Sequence, residues 1–377
     1  METVPHNLRT PGQHTAAVPP IVHPDARRGR GTVSNWTGRY ERERLTPADD
    51  GWGNLDAPPE PLRTQVLQDS TRTILARNQS PDIPFDRSIN PYRGCEHGCV
   101  YCFARPTHAY LGLSAGLDFE TKIFIKPDAA HLLENELRKP GYRPRVIAMG
   151  TNTDPYQPLE KERKITRSIL EVLARFNHPV AIVTKSNLIT RDLDILGPMA
   201  AKGLAKVAVS VTTLDHRLAR TMEPRASTPG RRLDAIRQLK KAGVPVGVMF
   251  APAIPGLNDH ELENVLTTAS EAGASEAGYV VLRLPLEVKD LFQEWLSENA
   301  PNRAGRIMGL IRSMNEGRDY HPAWGSRQVG RGPYADALSR RFSLAAKRLR
   351  LNLHTTALST SKFIVPTDQR AAQLNLF

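Results

Sequence analysis

The three cysteines of the 377-residue chain lie close together in one segment, as Cys95, Cys99 and Cys102. Their spacing is Cys-x3-Cys-x2-Cys, and Gly94 and Gly98 let the backbone fold tightly enough for three thiolates to converge. Thiolates select soft metal centres, which include zinc, copper and iron–sulfur clusters. An odd number of clustered thiols argues against a disulfide framework. The spacing therefore predicts a metal centre with these three cysteines as its ligands.

The number of thiols also indicates which metal centre to expect. Structural zinc takes four protein ligands, so His97 or His108 would have to complete a zinc site. A cubane cluster accounts for three ligands directly, because three thiolates hold three irons and the fourth iron stays open for a substrate. We predict an iron–sulfur cluster, with zinc or unliganded core thiols as the alternatives.

Strand-like and helix-like blocks alternate from about residue 85 onward. The strand-like blocks are short and almost wholly apolar, as in parallel strands that are buried on both faces. Amphipathic helical blocks separate them, and this alternation predicts a parallel α/β sheet or barrel. The predicted strands are 121–126, 145–150, 180–185, 205–212, 244–251 and 277–284, and the helical blocks are 160–176, 232–242 and 260–272.

Polar side chains gather where these predicted strands end, at 151–154, 184–187 and 210–213 and at Arg283. The carboxyl ends of barrel strands form the rim on which active sites are built. Ordinary turn residues at strand ends are the alternative. We expect cofactor or substrate contacts at this rim.

The chain is strongly basic, with 51 Lys and Arg against 39 Asp and Glu and a formal net charge of +12. Such an excess favours a polyanionic partner such as nucleic acid, and a solvated basic surface is the alternative. No apolar run is long enough to cross a membrane, and the first residues lack the apolar stretch of a secretory signal. A cytoplasmic protein without a membrane partner is therefore expected.

The cysteine loop, with Tyr101 directly before its third cysteine, resembles that of the radical S-adenosylmethionine (SAM) superfamily. The resemblance implies an enzyme with a 4Fe-4S cluster and SAM as cofactors and with an electron donor as a partner. The reduced cluster cleaves SAM to a 5′-deoxyadenosyl radical, which takes a hydrogen atom from the substrate. The resemblance also implies a partial (β/α)6 TIM-like barrel with an irregular N-terminal extension and a basic C-terminal helical extension.

Further motifs resemble the spore photoproduct lyase-related branch, and within it an uncharacterised bacterial subgroup. They are TDPYQPLE at 153–160, MEPR at 222–225, FAPAIPGLND at 250–259 and the run 88–110. The similarity covers roughly residues 30–350. It implies a lyase or a modifying enzyme that acts on nucleic acid, in DNA repair or modification.

Four segments are predicted on this basis. Residues 1–80 form an irregular basic extension, and 81–318 form the radical SAM core. Residues 319–366 form a basic C-terminal extension with a helix over 334–350. Residues 367–377 form a flexible tail, whose last five residues, Gln373 to Phe377, resemble the peptide that binds the bacterial sliding clamp.

The resemblance also suggests where SAM is contacted, and a capped strand end is the alternative at each position except Tyr101. Tyr101 corresponds to an aromatic residue near the adenine. The segment after the second core strand replaces a Gly-Gly-Glu motif that grips the methionyl amino group. Residues at the ends of the third and fourth core strands are also expected to face the cofactor. The full expected set is Tyr101, Gly150, Thr151, Asp154, Lys185, Ser186, Ser210 and Thr212.

One departure from the branch concerns hydrogen transfer. Spore photoproduct lyase has an additional cysteine that donates hydrogen to the product radical, whereas this chain has no thiol beyond the predicted ligands. Photoproduct repair by that route is therefore not expected, and Tyr279 or Tyr320 would have to relay hydrogen. The alternative functions are a metal-stabilised, non-catalytic adaptor associated with DNA or the sliding clamp, and a radical SAM enzyme that modifies tRNA or protein.

Overall fold

The computed structural model describes residues 21–41 and 60–367. Ten strands and eleven α-helices are found there, together with 3-10 helices at Arg105–Leu111, Asn187–Asp192 and Asp259–Glu261. The strands are β1 (Gln65–Gln68), β2 (Leu75–Arg77), β3 (Arg87–Ile89), β4 (Tyr92–Arg93), β5 (Lys122–Ile125), β6 (Ile147–Met149), β7 (Val180–Thr184), β8 (Ala205–Ser210), β9 (Val246–Ala253) and β10 (Glu276–Val281). The helices are α1 (Asp118–Thr121), α2 (Ala129–Leu137), α3 (Glu160–Arg163), α4 (Ile165–Arg175), α5 (Leu193–Ala201), α6 (His216–Met222), α7 (Pro229–Lys241), α8 (Leu262–Glu271), α9 (Glu287–Asn299), α10 (Pro301–Ser313) and α11 (Pro333–Arg348).

The main sheet has seven strands in the order β10-β9-β8-β7-β6-β3-β2. The neighbours from β3 to β10 pair in parallel, and β2 adds an antiparallel edge strand. The two end strands do not pair with each other within the described residues, so the sheet stays open. The predicted partial α/β barrel is confirmed.

One predicted barrel strand belongs elsewhere. The block 121–126 forms β5, which lies in a separate three-stranded sheet between β1 and β4. Its residues alternate between buried and half-buried, so it does not have the two buried faces of a central parallel strand. The first strand of the parallel set is instead β3, which pairs with β6.

The predicted helical block 160–176 is divided into α3 and α4 at Lys164, whose φ is 53°. A left-handed residue ends one helix and allows the next to begin in a new direction. Beyond this break, α4 buries Ile165, Ile169 and Leu170 against the sheet. Each fully buried side chain of this size contributes roughly 1.5–3 kcal/mol.

The N-terminal segment is more ordered than its composition suggests. β1 and β2 lie within the predicted irregular extension, and both are short and largely exposed, which explains the absence of a strand pattern. Residues 21–41 form an arm that contacts α1 and α9. In this arm the backbone N–H groups of Gly31 and Thr32 donate to the buried carboxylate of Glu120, at 2.8 and 3.0 Å.

The predicted C-terminal helix is α11, which packs against α8. Arg341 of α11 forms an ion pair with Glu263 of α8 at 2.7 Å. Residues 373–377, which carry the clamp-like peptide, lie outside the described residues. Of the helices in the described ranges, none is long and apolar enough to cross a membrane.

Candidate active site

The cysteine loop connects β4 to the 3-10 helix Arg105–Leu111. Cys95 and Cys99 are buried, with 6% and 7% of their surface exposed, and Cys102 is half-buried. Cys102 packs against the apolar group of each of the other two. The structure thus brings the three predicted ligands together in one loop.

A buried arginine, for which the sequence predicted no role, shapes this loop. Arg105 is fully buried and donates to the carbonyls of Cys99 and Gly98, at 2.9 and 3.1 Å. The same guanidinium forms a 2.6 Å ion pair with Glu120, which is also fully buried. A planar guanidinium has five donors in a fixed fork, so Arg105 holds several carbonyls at once. It therefore fixes the backbone that carries the thiols.

Gln157 holds the other side of the loop. Its Oε1 accepts from the backbone N–H of Glu96 at 2.9 Å, and its Nε2 donates to the carbonyl of Gly94 at 3.3 Å. Gly94 has a φ of 79°, a conformation that favours glycine. The side chain of Gln157 thus acts as a second clamp on the segment next to Cys95.

Burial raises the pKa of the Cys95 and Cys99 thiols well above the ordinary value. Lys185 and Arg232 oppose this effect at Cys99. Metal binding requires thiolates, and a bound cation supplies the charge that makes the thiolate stable in a buried site. The loop therefore suits a metal centre better than a free reactive thiol.

The donor set fits a multi-iron cluster. Within residues 21–41 and 60–367, no three His, Cys, Asp or Glu side chains converge to hold one metal ion. His97 lies 3.4 Å from Asp154, and Nε2 of His108 contacts the carbonyl of Lys122 at 3.0 Å. Neither histidine joins the thiols in a four-ligand zinc site. In a cubane each thiolate binds a different iron, which agrees with three soft donors spread along one loop.

Polar side chains from three elements meet beside the cysteine loop, and we call Tyr101, Lys185, Ser210, Thr212 and Glu223 the inner cluster. Nζ of Lys185 donates to Ser210 and Thr212, at 2.7 and 3.1 Å. Thr212 donates to Glu223 at 2.6 Å, and the Tyr101 hydroxyl donates to the same carboxylate. Four of the eight expected cofactor contacts therefore lie in one connected network.

The electrostatics of the inner cluster depend on Glu223 and its partner Arg232. Both side chains are buried, and they form an ion pair. Burial raises the pKa of Glu223, and Arg232 opposes that shift. Burial lowers the pKa of Lys185 to about 8. Lys185 and Arg232 thus share the buried carboxylate of Glu223, and the carboxylate of Asp154 also acts on Lys185.

The loop after β6 contains Gly150 and Thr151. A Cβ at Gly150 would lie 1.9 Å from the carbonyl oxygen of Val183, and the φ of Gly150 is 87°, so only glycine fits. Oδ1 of Asn90 accepts from the Thr151 hydroxyl at 3.4 Å and from the backbone N–H of Asn152 at 3.0 Å. This loop is therefore fixed against β7.

Asp154 and Ser186 already have partners within the fold. Asp154 accepts from the hydroxyl of Thr184 and from the backbone N–H of Lys185, both at 2.7 Å. Ser186 caps a 3-10 helix by accepting from the N–H of Leu188 at 3.2 Å. Their polar atoms are thus explained as strand-end and cap interactions, and the predicted cofactor contacts at both positions stay predictions.

The sequence analysis assigned no role to Arg105, Gln157 or Glu223. A signal was present, because Gln157 lies in the 153–160 motif, Glu223 lies in the 222–225 motif, and Arg105 lies in the 88–110 run. The tyrosines considered as hydrogen relays are in different places. Tyr320 packs against the apolar group that includes Cys99, whereas the ring of Tyr279 lies tilted against that of Phe342, with 4.8 Å between the ring centres.

Comparison with known proteins identifies relatives of this chain. The model of the radical SAM superfamily matches residues 89–269. An uncharacterised protein of Mycobacterium tuberculosis is 38% identical over 242 residues, which span 63% of this chain and 71% of that protein. An uncharacterised protein of Methanocaldococcus jannaschii is 27% identical over 213 residues, 56% of this chain and 76% of that one.

Solved structures of spore photoproduct lyase share the fold. A mutant with bound AdoMet and dinucleoside spore photoproduct has a TM-score of 0.54 at 16% identity, covering 75% of this chain and 78% of that chain. The complex with dinucleoside spore photoproduct also has a TM-score of 0.54, at 15% identity, covering 83% and 86%. From the cysteine loop, the inner cluster and these matches together, the chain belongs to the radical SAM superfamily.

Proposed function

We propose that this radical SAM enzyme acts on nucleic acid, as a lyase or a modifying enzyme in DNA repair or modification. The family uses a 4Fe-4S cluster and SAM, and it requires an electron donor. When bound, these cofactors supply a 5′-deoxyadenosyl radical that removes a hydrogen atom from the substrate. Membership of this family makes the chain an enzyme, so we do not propose the non-catalytic adaptor.

The observation that carries the chemistry is the buried loop of Cys95, Cys99 and Cys102 next to the inner cluster. In this proposal the three thiolates hold the cluster, and Arg105 and Gln157 hold the loop that presents them. Cys95 and Cys99 are buried, and shielding from water protects a reactive radical from side reactions.

The inner cluster is proposed as the wall that orients SAM. Lys185 and its buried neighbour Arg232 supply positive charge for the cofactor carboxylate, and the Ser210 and Thr212 hydroxyls supply hydrogen bonds. Tyr101 offers an aromatic surface whose hydroxyl is held by Glu223. Gly150 and Thr151 present backbone groups on a loop that is already fixed, so little ordering is required when the cofactor binds.

Two observations support nucleic acid as the substrate class. The chain has a net charge of +12, and basic side chains attract phosphate. Its fold is shared with spore photoproduct lyase, which has been solved with a dinucleoside photoproduct. Because no fourth thiol exists, we propose a product or hydrogen donor different from that of a thiol-dependent repair reaction.

The remaining assignments belong to the same proposal. Residues 81–318 form the catalytic core, and the basic segments on either side assist binding to nucleic acid. The segment from Gln373 to Phe377 tethers the enzyme to a sliding clamp. Deleting residues 373–377 should abolish clamp association and leave SAM cleavage intact. Unchanged clamp binding would contradict the tether. A cytoplasmic location is proposed with it.

The decisive test is anaerobic reconstitution with iron and sulfide, followed by assay of 5′-deoxyadenosine released from SAM under reduction. Single-stranded DNA, duplex DNA, tRNA and a protein mixture are then added separately. We expect DNA to stimulate release above the background without substrate. Stimulation by tRNA or protein alone would contradict the proposed substrate, and release that persists in Cys99→Ala would contradict the cluster assignment.

A further inference from the structure

The exposed aromatic side chains are concentrated near the cysteine loop. Of the four exposed aromatic residues in the described ranges, three lie beneath an arginine guanidinium. Arg39 lies 5.3 Å from the ring centre of Tyr40 and 5.8 Å from that of Tyr110, and Arg283 lies 4.8 Å from that of Phe103. We call these five residues the aromatic rim.

The aromatic rim is continuous. Arg39 forms a 3.0 Å ion pair with Glu287, which begins α9. Glu287 and Arg283 belong to one short segment after β10, and Arg283 covers Phe103. Phe103 directly follows Cys102. The segment 283–287 therefore links Phe103, at the end of the cysteine loop, to Arg39 and the two tyrosines beneath it.

The same segment contains polar atoms without partners. Three buried side-chain atoms in the described residues make no hydrogen bond, and two of them are Nε of Arg283 and Oε2 of Glu287. Within residues 21–41 and 60–367, no hydrogen bond or ion pair engages the Arg283 guanidinium. A buried polar group without a partner carries a free-energy cost, because its lost hydration is not replaced. A ligand that pairs with Arg283 would remove that cost.

Backbone conformation points to the same segment. Leu286, between these two residues, has a φ of 51° and is 60% exposed. A non-glycine residue in such a conformation is strained, and residues of this kind cluster at ligand clamps. Strain, exposure and unpaired polar atoms thus coincide within 283–287.

We propose that the aromatic rim binds unpaired nucleotides, with Arg283 on a phosphate and Phe103 and Tyr110 stacked against bases. This inference rests on the proposed function and deepens it, because it names single-stranded or everted nucleotides as the form in which the substrate is held. Rings that carry a cation on one side match the alternation of base and phosphate along a strand.

The test measures fluorescence anisotropy of a labelled oligothymidylate of roughly 12 nucleotides, a length within the site size of single-strand binders. The protein is the full chain with its cluster reconstituted. Phe103→Ala and Tyr110→Ala should each weaken binding about tenfold, the value expected for losing one stacked base. Tyr110→Phe keeps the ring and should bind as wild type does.

Arg283→Gln should lower the slope of log affinity against log salt by about 0.7, because one phosphate contact is lost. Leu344→Ala is the matched control, since Leu344 is 70% exposed on α11 and outside the rim. Iron content is measured for every variant, because Phe103 adjoins a ligand. Tyr110, at the other end of the 3-10 helix, keeps the test valid if Phe103→Ala loses its cluster.

The outcomes separate this inference from the function on which it rests. If the wild type binds the oligonucleotide and the rim variants bind it equally well, the rim is overturned and the nucleic-acid substrate stands. If the wild type binds duplex DNA only, stacking on the rim is likewise overturned. If the wild type binds no nucleic acid but a protein partner requires Phe103 and Tyr110, both proposals fail.

Discussion

The inner cluster and the aromatic rim both include a residue of the cysteine loop, Tyr101 and Phe103, yet they are built in opposite ways. In the inner cluster Lys185, Thr212 and Glu223 are linked by short hydrogen bonds. On the rim, Arg283 and Glu287 each keep a buried polar atom without a partner. A network satisfied by the protein holds its geometry before any ligand arrives, whereas an unsatisfied one is completed by the ligand. On the proposals made above, the first region is organised for a constant cofactor and the second for an incoming substrate.

The largest effect is expected at the loop between the two regions. Cys99→Ala should lose the cluster, because two thiolates do not hold a cubane, and release of 5′-deoxyadenosine should fall below detection. Iron and sulfide content after anaerobic reconstitution are the measurements. Thr107→Ala, a half-buried position on the adjoining 3-10 helix, serves as the control and should retain both. Full iron content in Cys99→Ala would remove this residue from the ligand set.

Neutralising the carboxylate of Glu223 tests whether the polar groups of the inner cluster are satisfied within the protein. Glu223→Gln leaves the buried Arg232 without a counter-ion and should lower the free energy of unfolding by about 3 kcal/mol. Urea titration monitored by circular dichroism measures it. Glu171→Gln removes an exposed carboxylate that pairs with Arg167 at 3.2 Å, and it should cost less than about 1 kcal/mol. Equal losses in the two variants would abolish the distinction.

Buried and exposed histidines should differ in their effect on the pH dependence of stability. Burial lowers the pKa of His178 to about 4 from 6.5. The unfolded chain therefore takes up a proton between pH 6.5 and 4 while the native state does not, so stability falls as pH falls through this window, by up to about 3 kcal/mol. Burial lowers the pKa of His108 to about 4 as well and also lowers the pKa of His97, so His178→Gln should remove part of the acid loss and leave the rest.

Urea titrations at several pH values measure this slope. The control is His131→Gln, because His131 is exposed on α2 and its replacement should leave the acid loss unchanged. A wild-type protein whose stability is constant from pH 6.5 to 4 would show that His178 is not held neutral by burial.

The smallest expected effect has opposite signs at two exposed leucines. Leu286→Gly relieves a positive φ and should raise the free energy of unfolding by about 1 kcal/mol. Leu344→Gly places glycine inside α11 and should lower it by about 1 kcal/mol. Thermal unfolding of the two variants side by side is sufficient. A loss of stability at Leu286 would mean that the rim segment is not strained.

The sequence predicted best those features that depend on neighbouring residues. The cysteine spacing, the apolar runs of β7 and β8 and the stripe of α4 are local patterns, and the structure contains all of these elements. The sequence does not predict β3 as the first strand of the parallel set, because only three residues form it. The partners of Glu223 were missed because Tyr101, Thr212 and Arg232 are far apart along the chain and meet only after the sheet has formed.

The N-terminal arm of residues 21–41 limits how far the chain can be truncated from its N-terminus. Glu120 is fully buried, and apart from Arg105 its side-chain partners are Gly31 and Thr32. A Cβ on Gly31 would lie 1.7 Å from the carbonyl oxygen of Gly98, so the arm touches the loop between the first two cysteines. A fragment that starts at residue 81 would lack the arm and would expose the backbone near Gly98 to solvent. The smallest unit that folds alone must therefore include residues that precede the barrel. In a shorter fragment, oxygen would reach the cysteine loop through the surface that the arm covers.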